Sequence, residues 1–205
     1  MRRLAILGAS GHGKVVAEAA ECSGWDAIAF FDDRWPSMQA NRHWPVIGGT
    51  SELVDSITHY DGVVIAIGSN ATRLDKFRQL ASSGARLVSI VHPSAVVSTS
   101  AVLGIGSVVF AGAVINADAR IGLAAIVNTG ATVDHDCILG DAIHISPGVH
   151  LAGGVEIGDR SWIGIGSCVR QLVQIGADVI VGAGATVVRN VGDGLTVAGV
   201  PAAPL

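Results

Sequence analysis

Asp134-His135-Asp136 sets one imidazole between two carboxylates, and eighteen residues later the chain reads Ala152-Gly153-Gly154. A histidine in that setting can take a proton at neutral pH, and an adjoining carboxylate can orient it and stabilise its imidazolium. A bare glycine backbone beside it can offer an N–H to developing negative charge. The eighteen-residue offset matters because of the rhythm it belongs to. From Val91 onward every sixth residue is Val, Ile or Leu: Val91, Val97, Leu103, Val109, Ile115, Ile121, Val127, Val133, Leu139, Ile145, Leu151, Ile157, Ile163, Val169, Ile175, Val181 and Val187. Gly104, Gly122, Gly140, Gly158 and Gly176 follow the aliphatic position once every eighteen residues. Six residues therefore make a face and eighteen a full coil of a β-helical solenoid. Successive coils lie about one strand spacing (~4.8 Å) apart, so the backbone of Gly153 is predicted to sit beside the His135 side chain.

His144 falls half a coil from His135, on a different side of the prism, so the two do not touch within one chain. Across the interface of a trimer, His135 of one copy can face His144 of the next. Trp162 stands one coil above His144, where it either walls that cleft or packs an interface. Metal ligation is a competing use of histidines in such a fold, but ligands must converge, and His135, His144 and His150 occupy different phases of the coil. No metal is therefore expected, and His43, His59 and His150 read as solvated side chains. Cys137 occupies a place filled elsewhere by Ala101, Ala113, Ala119, Ala125 and Ala131, which predicts an inward-facing thiol rather than a nucleophile.

A second constellation lies near the start. Leu4 to Leu7 reads as a strand, and Gly8-Ala9-Ser10-Gly11-His12-Gly13-Lys14 leads from it straight into a helix predicted over Lys14 to Cys22. Glycines let the backbone turn and approach a ligand, and a helix N-terminus offers free N–H groups to an anion. The spacing is G-x-x-G-x-G rather than the G-x-G-x-x-G of dinucleotide enzymes. Lys14 reads as part of a solvated helix face. Asp32 and Asp33 end the next strand, Ala27 to Phe31, where carboxylates face the ligand crevice of α/β sheets. Ile67-Gly68-Ser69-Asn70, after a buried strand over Val63 to Ile67, brings Gly68 to the same edge. An amphipathic helix is predicted from about Thr72 to Ser82, with Leu74, Phe77 and Leu80 on one side.

These elements define two regions: an α/β Rossmann-like domain over 1–85, then an all-β parallel β-helix over 86–205. Strand–helix alternation argues for a small parallel sheet in the first. Residues 34 to 50, with prolines and glycines among Trp35 and Trp44, read as a loop excursion. The net charge of −4 gives no basic footprint, so nucleic acid is not an expected partner. No apolar run reaches the length of a membrane span, and three cysteines form no CxxC pair, which predicts a reduced, cytoplasmic protein without membrane insertion.

Taken in order, Gly8-Ala-Ser-Gly-His-Gly13, Phe31-Asp32-Asp33, Ile65-Ala-Ile-Gly68, His92-Pro-Ser-Ala95, Asn128-Thr129 with Asp134-His-Asp136, and Val197-Ala-Gly-Val-Pro-Ala202 resemble one family over essentially the whole chain. That family is the bacterial acetyl-CoA-dependent nucleotide-sugar N-acetyltransferases, relatives of the sialic acid O-acetyltransferases. The resemblance implies a left-handed parallel β-helix, a homotrimer with active sites between subunits, and acetyl-CoA as co-substrate. It implies that Ser10, Gly11 and His12 lie on the phosphates of a nucleotide-linked amino sugar, with Asp32 and Asp33 near the nucleoside and Gly68 in the same crevice. It further implies that His135 is the general base, that Asp136 raises its basicity, and that His144 and Asn128 line the acetyl-CoA thioester region. Asp136 is shorter than the Glu of some relatives, and Ala202-Ala-Pro-Leu205 lacks the basic residue that often follows Pro-Ala there.

The reaction so implied is direct acetyl transfer from acetyl-CoA to the amino group of a nucleotide-activated deoxysugar, of the UDP-4-amino-4,6-dideoxysugar type, for bacterial surface glycan synthesis. GDP and dTDP are alternatives to UDP. The Gly153 N–H is the candidate contact for the thioester oxygen. Two other functions remain open at this point. One is O-acetylation of sialic acid or another sugar, and the other a non-catalytic nucleotide-sugar-binding scaffold, which would need no base.

Overall fold

The computed structural model describes residues 1–205. The chain forms two compact units, Met1–His92 and Pro93–Leu205.

The first unit is built on β1 (Arg3–Leu7), whose Leu4, Ala5, Ile6 and Leu7 are all buried. A continuous apolar run of this kind suits a central parallel strand covered on both faces. α1 (Gly11–Cys22) leads to β2 (Ala27–Phe31), and the short strands β3 (Ala40–Asn41) and β4 (Trp44–Pro45) form an antiparallel hairpin. α2 (Thr50–Ser56), β5 (Gly62–Ile65) and α3 (Asn70–Ser82) complete the unit. The parallel sheet runs β2-β1-β5, so β1 lies between the two strands whose ends carry Asp32 and Gly68.

Three local features depart from the sequence reading. α1 begins at Gly11, three residues before Lys14. Gly13 makes this possible: a Cβ there would lie 2.3 Å from the Gly8 carbonyl oxygen, so only glycine lets the first helical turn sit on the strand exit. The 34–50 excursion is anchored rather than loose. Trp44 is buried edge-on to Phe30 with ring centres 6.0 Å apart, and its Nε1–H donates to Glu21 Oε1 at 2.8 Å. α2 was hidden in a short segment of mixed polarity, and its first turn is held by Glu52, which accepts from the Gly49 N–H at 2.8 Å.

The second unit is a parallel β-solenoid of two-residue strands on three faces. Face one carries Val96–Val97, Val114–Ile115, Thr132–Val133, His150–Leu151, Cys168–Val169 and Thr186–Val187 in register. Face two carries Val102–Leu103, Arg120–Ile121, Ile138–Leu139, Glu156–Ile157 and Gln174–Ile175. Face three carries Val108–Val109, Ile126–Val127, His144–Ile145, Trp162–Ile163, Ile180–Val181 and Thr196–Ala198, closed by an antiparallel strand at Ala203–Pro204. Within each strand the second residue points inward and builds the core, while the first points away from it, exposed or half-buried on faces one and two but buried at Val108, Ile126 and His144 of face three.

The eighteen-residue glycine rhythm has a steric cause. A Cβ on Gly122 would sit 2.6 Å from the Gly140 carbonyl carbon, and one on Gly140 would sit 2.7 Å from the Asp159 nitrogen. Aspartates use the space so left. Asp141 Oδ1 accepts from the Leu123 N–H, Asp159 Oδ1 from Asp141 and Asp193 Oδ1 from Ala177, each at 2.8 Å, tying coil to coil. Inside the prism, Cys137 is fully buried and its thiol donates to the Ala152 carbonyl at 3.3 Å. Burial pushes that thiol's pKa up, which removes it as a nucleophile.

Candidate active site

His135 stands on the corner that follows face one, where the coil turns and the side chain reaches solvent. Its own N–H donates to Asp134 Oδ1 at 2.8 Å, and the same oxygen takes the Asn116 amide of the coil below at 2.9 Å. Asp134 therefore braces the corner. Asp136 adopts a left-handed conformation (φ 59°) and brings Oδ2 to 2.7 Å from His135 Nδ1. That contact holds the ring proton on Nδ1 and leaves Nε2 as the proton acceptor. The hydrogen bond to Asp136 and the charge of Asp134 raise the His135 pKa above its ordinary value. One coil higher, Gly153 presents only backbone to the ring: a Cβ there would lie 2.6 Å from Nε2.

His144 occupies the outward position of face three, in register with Ile126 below and Trp162 above. It is only 7 % exposed. Its imidazole stacks on the Trp162 indole, with ring centres 4.7 Å apart and planes inclined by 28°. Asn128 Oδ1 accepts from the Thr129 N–H at 2.8 Å, which turns the Asn128 amide nitrogen toward His144 Nε2 at 3.3 Å. An amide N–H at this distance favours the tautomer in which Nε2 accepts. These residues line a groove of about 580 Å³ with Ser146, Pro147, Ile165 and Ile180. Asn128 and His144 are thereby brought together, whereas His135 lies one and a half hexapeptides away on another side of the same solenoid.

In the first unit the three strand ends gather Ser10, Gly11, Asp32, Asp33 and Gly68 around the glycine loop. A methyl group built on Gly11 or Gly68 would meet no atom within 4 Å, so both backbones are open to approach. Gly8, at φ 110°, has no such freedom, since its Cβ would lie 2.6 Å from the Ala66 carbonyl oxygen. Asp32 accepts from the Ala9 N–H at 2.8 Å and pairs with Arg34 through two contacts of 2.7 and 2.8 Å. The Arg34 guanidinium holds the Asp32 pKa down at about 2. Asp33 Oδ1 accepts from Thr50 N–H at 2.7 Å, capping α2, and Oδ2 meets Lys76 Nζ at 3.1 Å. Both carboxylates are charge-balanced within the unit.

Arg73 is the residue the sequence reading missed here. It is 1 % exposed and donates to the carbonyls of Ile67 and Gly68 at 2.9 and 3.0 Å and to Asn70 Oδ1 at 2.8 Å. Burial lowers its pKa to about 9, so it stays charged at neutral pH and braces the turn that carries Gly68. Burial, and then the Arg73 charge, lower the His12 pKa to about 4, so His12 is neutral beside the loop. An arginine in an amphipathic helix, here one of two with Arg78, gives no signal of burial in the sequence. No group of three or more His, Cys, Asp or Glu side chains is arranged to hold a metal ion, and no helix is long and apolar enough to cross a membrane.

Residues 3–80 match the family model described as the PglD N-terminal domain. A curated relative, UDP-N-acetylbacillosamine N-acetyltransferase of Bacillus subtilis strain 168, is 38% identical over 111 residues. That match spans 52% of this chain and 50% of the relative, so it reaches only half the relative's length. The acetyltransferase domain of PglB from Neisseria gonorrhoeae FA1090, solved in complex with acetyl coenzyme A, is 47% identical with a TM-score of 0.95. The alignment covers 100% of this chain and 99% of that one. A histidine variant of perosamine N-acetyltransferase from Caulobacter crescentus, in complex with CoA and GDP-perosamine, is 42% identical with a TM-score of 0.95, covering 100% and 97% of the two chains.

Proposed function

The chain belongs to the acetyl-CoA-dependent nucleotide-sugar N-acetyltransferases, and from that membership we propose that it transfers the acetyl group of acetyl-CoA to the amine of a nucleotide-linked amino-deoxysugar, with His135 as general base. One observation carries the assignment of the base: His135 Nδ1 is held at 2.7 Å by Asp136 on an exposed corner, leaving Nε2 ready to take a proton.

The neutral sugar amine attacks the thioester carbon directly, and the carbonyl oxygen becomes an oxyanion. The Gly153 N–H is the donor assigned to that oxygen. His135 Nε2 takes the proton shed by the nitrogen, Asp136 stabilises the imidazolium, and collapse of the intermediate expels the CoA thiolate, which receives that proton. No covalent acetyl-enzyme is required, in keeping with the buried Cys137. His144 and Asn128 hold the thioester end of acetyl-CoA in the groove of face three. Because His135 and His144 lie on different sides of one solenoid, the two meet only when a neighbouring copy supplies one of them, which supports a homotrimer with sites between subunits.

Ser10, Gly11 and His12 take the phosphates of the sugar nucleotide at the start of α1, where the Gly11 backbone is open to approach and a helix N-terminus favours an anion. Asp32, Asp33 and Gly68 line the nucleoside side of the same crevice. UDP is the first nucleotide to test, with GDP and dTDP beside it, and we place the reaction in the cytoplasm, where acetyl-CoA is made. The test is release of CoA thiol from acetyl-CoA with UDP-, GDP- and dTDP-linked 4-amino-deoxysugars, alongside free sialic acid and the His135→Ala variant. Turnover with one amino sugar, lost in the variant, is expected. Near-normal turnover in a folded His135→Ala protein overturns the assignment of the base. Acetylation of sialic acid alone moves the reaction to a hydroxyl, and nucleotide-sugar binding with no CoA binding favours a scaffold.

A further inference from the structure

The groove of face three contains a residue that the reaction itself does not call for. Trp162 stands in the outward position one coil above His144, and a tryptophan there is an unusual choice for a strand position whose neighbours are aliphatic or polar. Its indole is fixed at two points. The ring face lies against the His144 imidazole, 4.7 Å between centres, and Nε1–H donates to Ser146 Oγ at 2.9 Å. Ser146 is buried, two residues beyond His144 on the same turn, and its own N–H is tied to the Ile163 carbonyl at 3.0 Å. The clamp therefore closes on itself: residue 146 anchors the indole, and the indole covers residue 144.

An outward-pointing histidine on a solenoid face would ordinarily sample several rotamers in water. Here the stacked indole blocks the swing away from the face, and the Asn128 amide engages the ring edge at 3.3 Å. An aromatic pair of this kind is worth about 0.5–1.5 kcal/mol beyond the area it buries, enough to populate one ring orientation over its competitors. Trp162 is still 40 % exposed, with its free edge on the same groove as Ile165 and Ile180.

We propose that Trp162, anchored by Ser146, is a positioning residue that holds the His144 imidazole in the single orientation that receives the acetyl-CoA thioester. It acts through His144 and not on the sugar. The proposal rests on the reading of the face-three groove as the acetyl-CoA site.

The test is steady-state kinetics of Trp162→Ala, Trp162→Phe, Ser146→Ala, His144→Ala and the Trp162→Ala/His144→Ala double variant, each checked for an unchanged thermal midpoint and assembly size. Trp162→Ala is expected to raise the KM for acetyl-CoA about tenfold while leaving the KM for the sugar nucleotide unchanged. Trp162→Phe keeps the stack and is expected to recover most of that loss, with Ser146→Ala intermediate. In the double variant the Trp162 change should add nothing to His144→Ala. Spectra of histidine-labelled protein should show one sharp His144 ring environment in the parent and exchange broadening between orientations in Trp162→Ala. A Trp162→Ala enzyme with parent kinetics overturns the proposal, as does a loss that adds in full to that of His144→Ala. If His144→Ala itself leaves the KM for acetyl-CoA unchanged, the groove is not the donor site, and both readings fall together.

Discussion

The imidazole of His135 packs against the backbone of Gly153, which lies one coil above, so closely that a methyl group on Gly153 would stand 2.5 Å from His135 Cε1. The pairing fixes which edge of the ring faces outward and places a backbone amide beside the proposed base. Neither residue is near the other in sequence; the eighteen-residue coil brings them together.

Gly153→Ala is therefore expected to push the ring aside without harming the core. A displacement of this size near a reacting centre costs on the order of 10–100-fold in kcat. Steady-state rates beside an unchanged unfolding midpoint check this, and retention of full kcat would mean that His135 tolerates a second position.

The pH profile follows from the carboxylates around His135. The base must be neutral to take a proton, so kcat/KM should fall as pH drops through its raised pKa. Asp136→Asn removes the largest cause of that elevation, and the acid limb should move to lower pH. Because the weaker partner also stabilises the imidazolium less, the plateau rate should fall as well. An acid limb that stays in place in Asp136→Asn would assign the titration to another group.

His12 gives the first unit its own pH signature. Burial and the Arg73 charge lower its pKa from 6.5 to about 4. As pH falls below 6.5 the unfolded chain gains a proton that the native loop refuses until about pH 4. Stability is thus lost progressively across that window, by about 3 kcal/mol at most. Urea unfolding of the parent and His12→Gln proteins between pH 7 and 4.5 should show a shallower slope in the variant, and identical slopes would exclude His12 as the source.

Gly140→Ala probes the solenoid's stacking. Its Cβ would stand 2.7 Å from the Asp159 backbone nitrogen, where neither coil can give way cheaply. A loss of about 1–3 kcal/mol is expected from overpacking of this kind, read as a lowered unfolding midpoint. Gly130→Ala meets no neighbour within 4 Å, but sits at φ 64°, so its cost should be limited to the backbone conformation.

The sequence by itself determined the solenoid, because a six-residue aliphatic beat has only one way to bury its side chains, and each coil repeats the address of the last. That same arithmetic placed Gly153 over His135, Trp162 over His144 and Cys137 in the interior. It also marked the strand ends that carry Asp32, Asp33 and Gly68. What it did not contain were the partners that each polar group finds across the fold. The Arg34 and Lys76 contacts that balance Asp32 and Asp33 come from a turn and a helix whose approach is set by packing. Arg73 is buried by the elements folded around α3, and α1 starts early because Gly13 fits against Gly8. The His144–Trp162–Ser146 clamp likewise depends on rotamers, which spacing leaves open. Periodicity specifies where the backbone of a repeat must go, while the orientation of its side chains is decided by contacts made only once the coils have stacked.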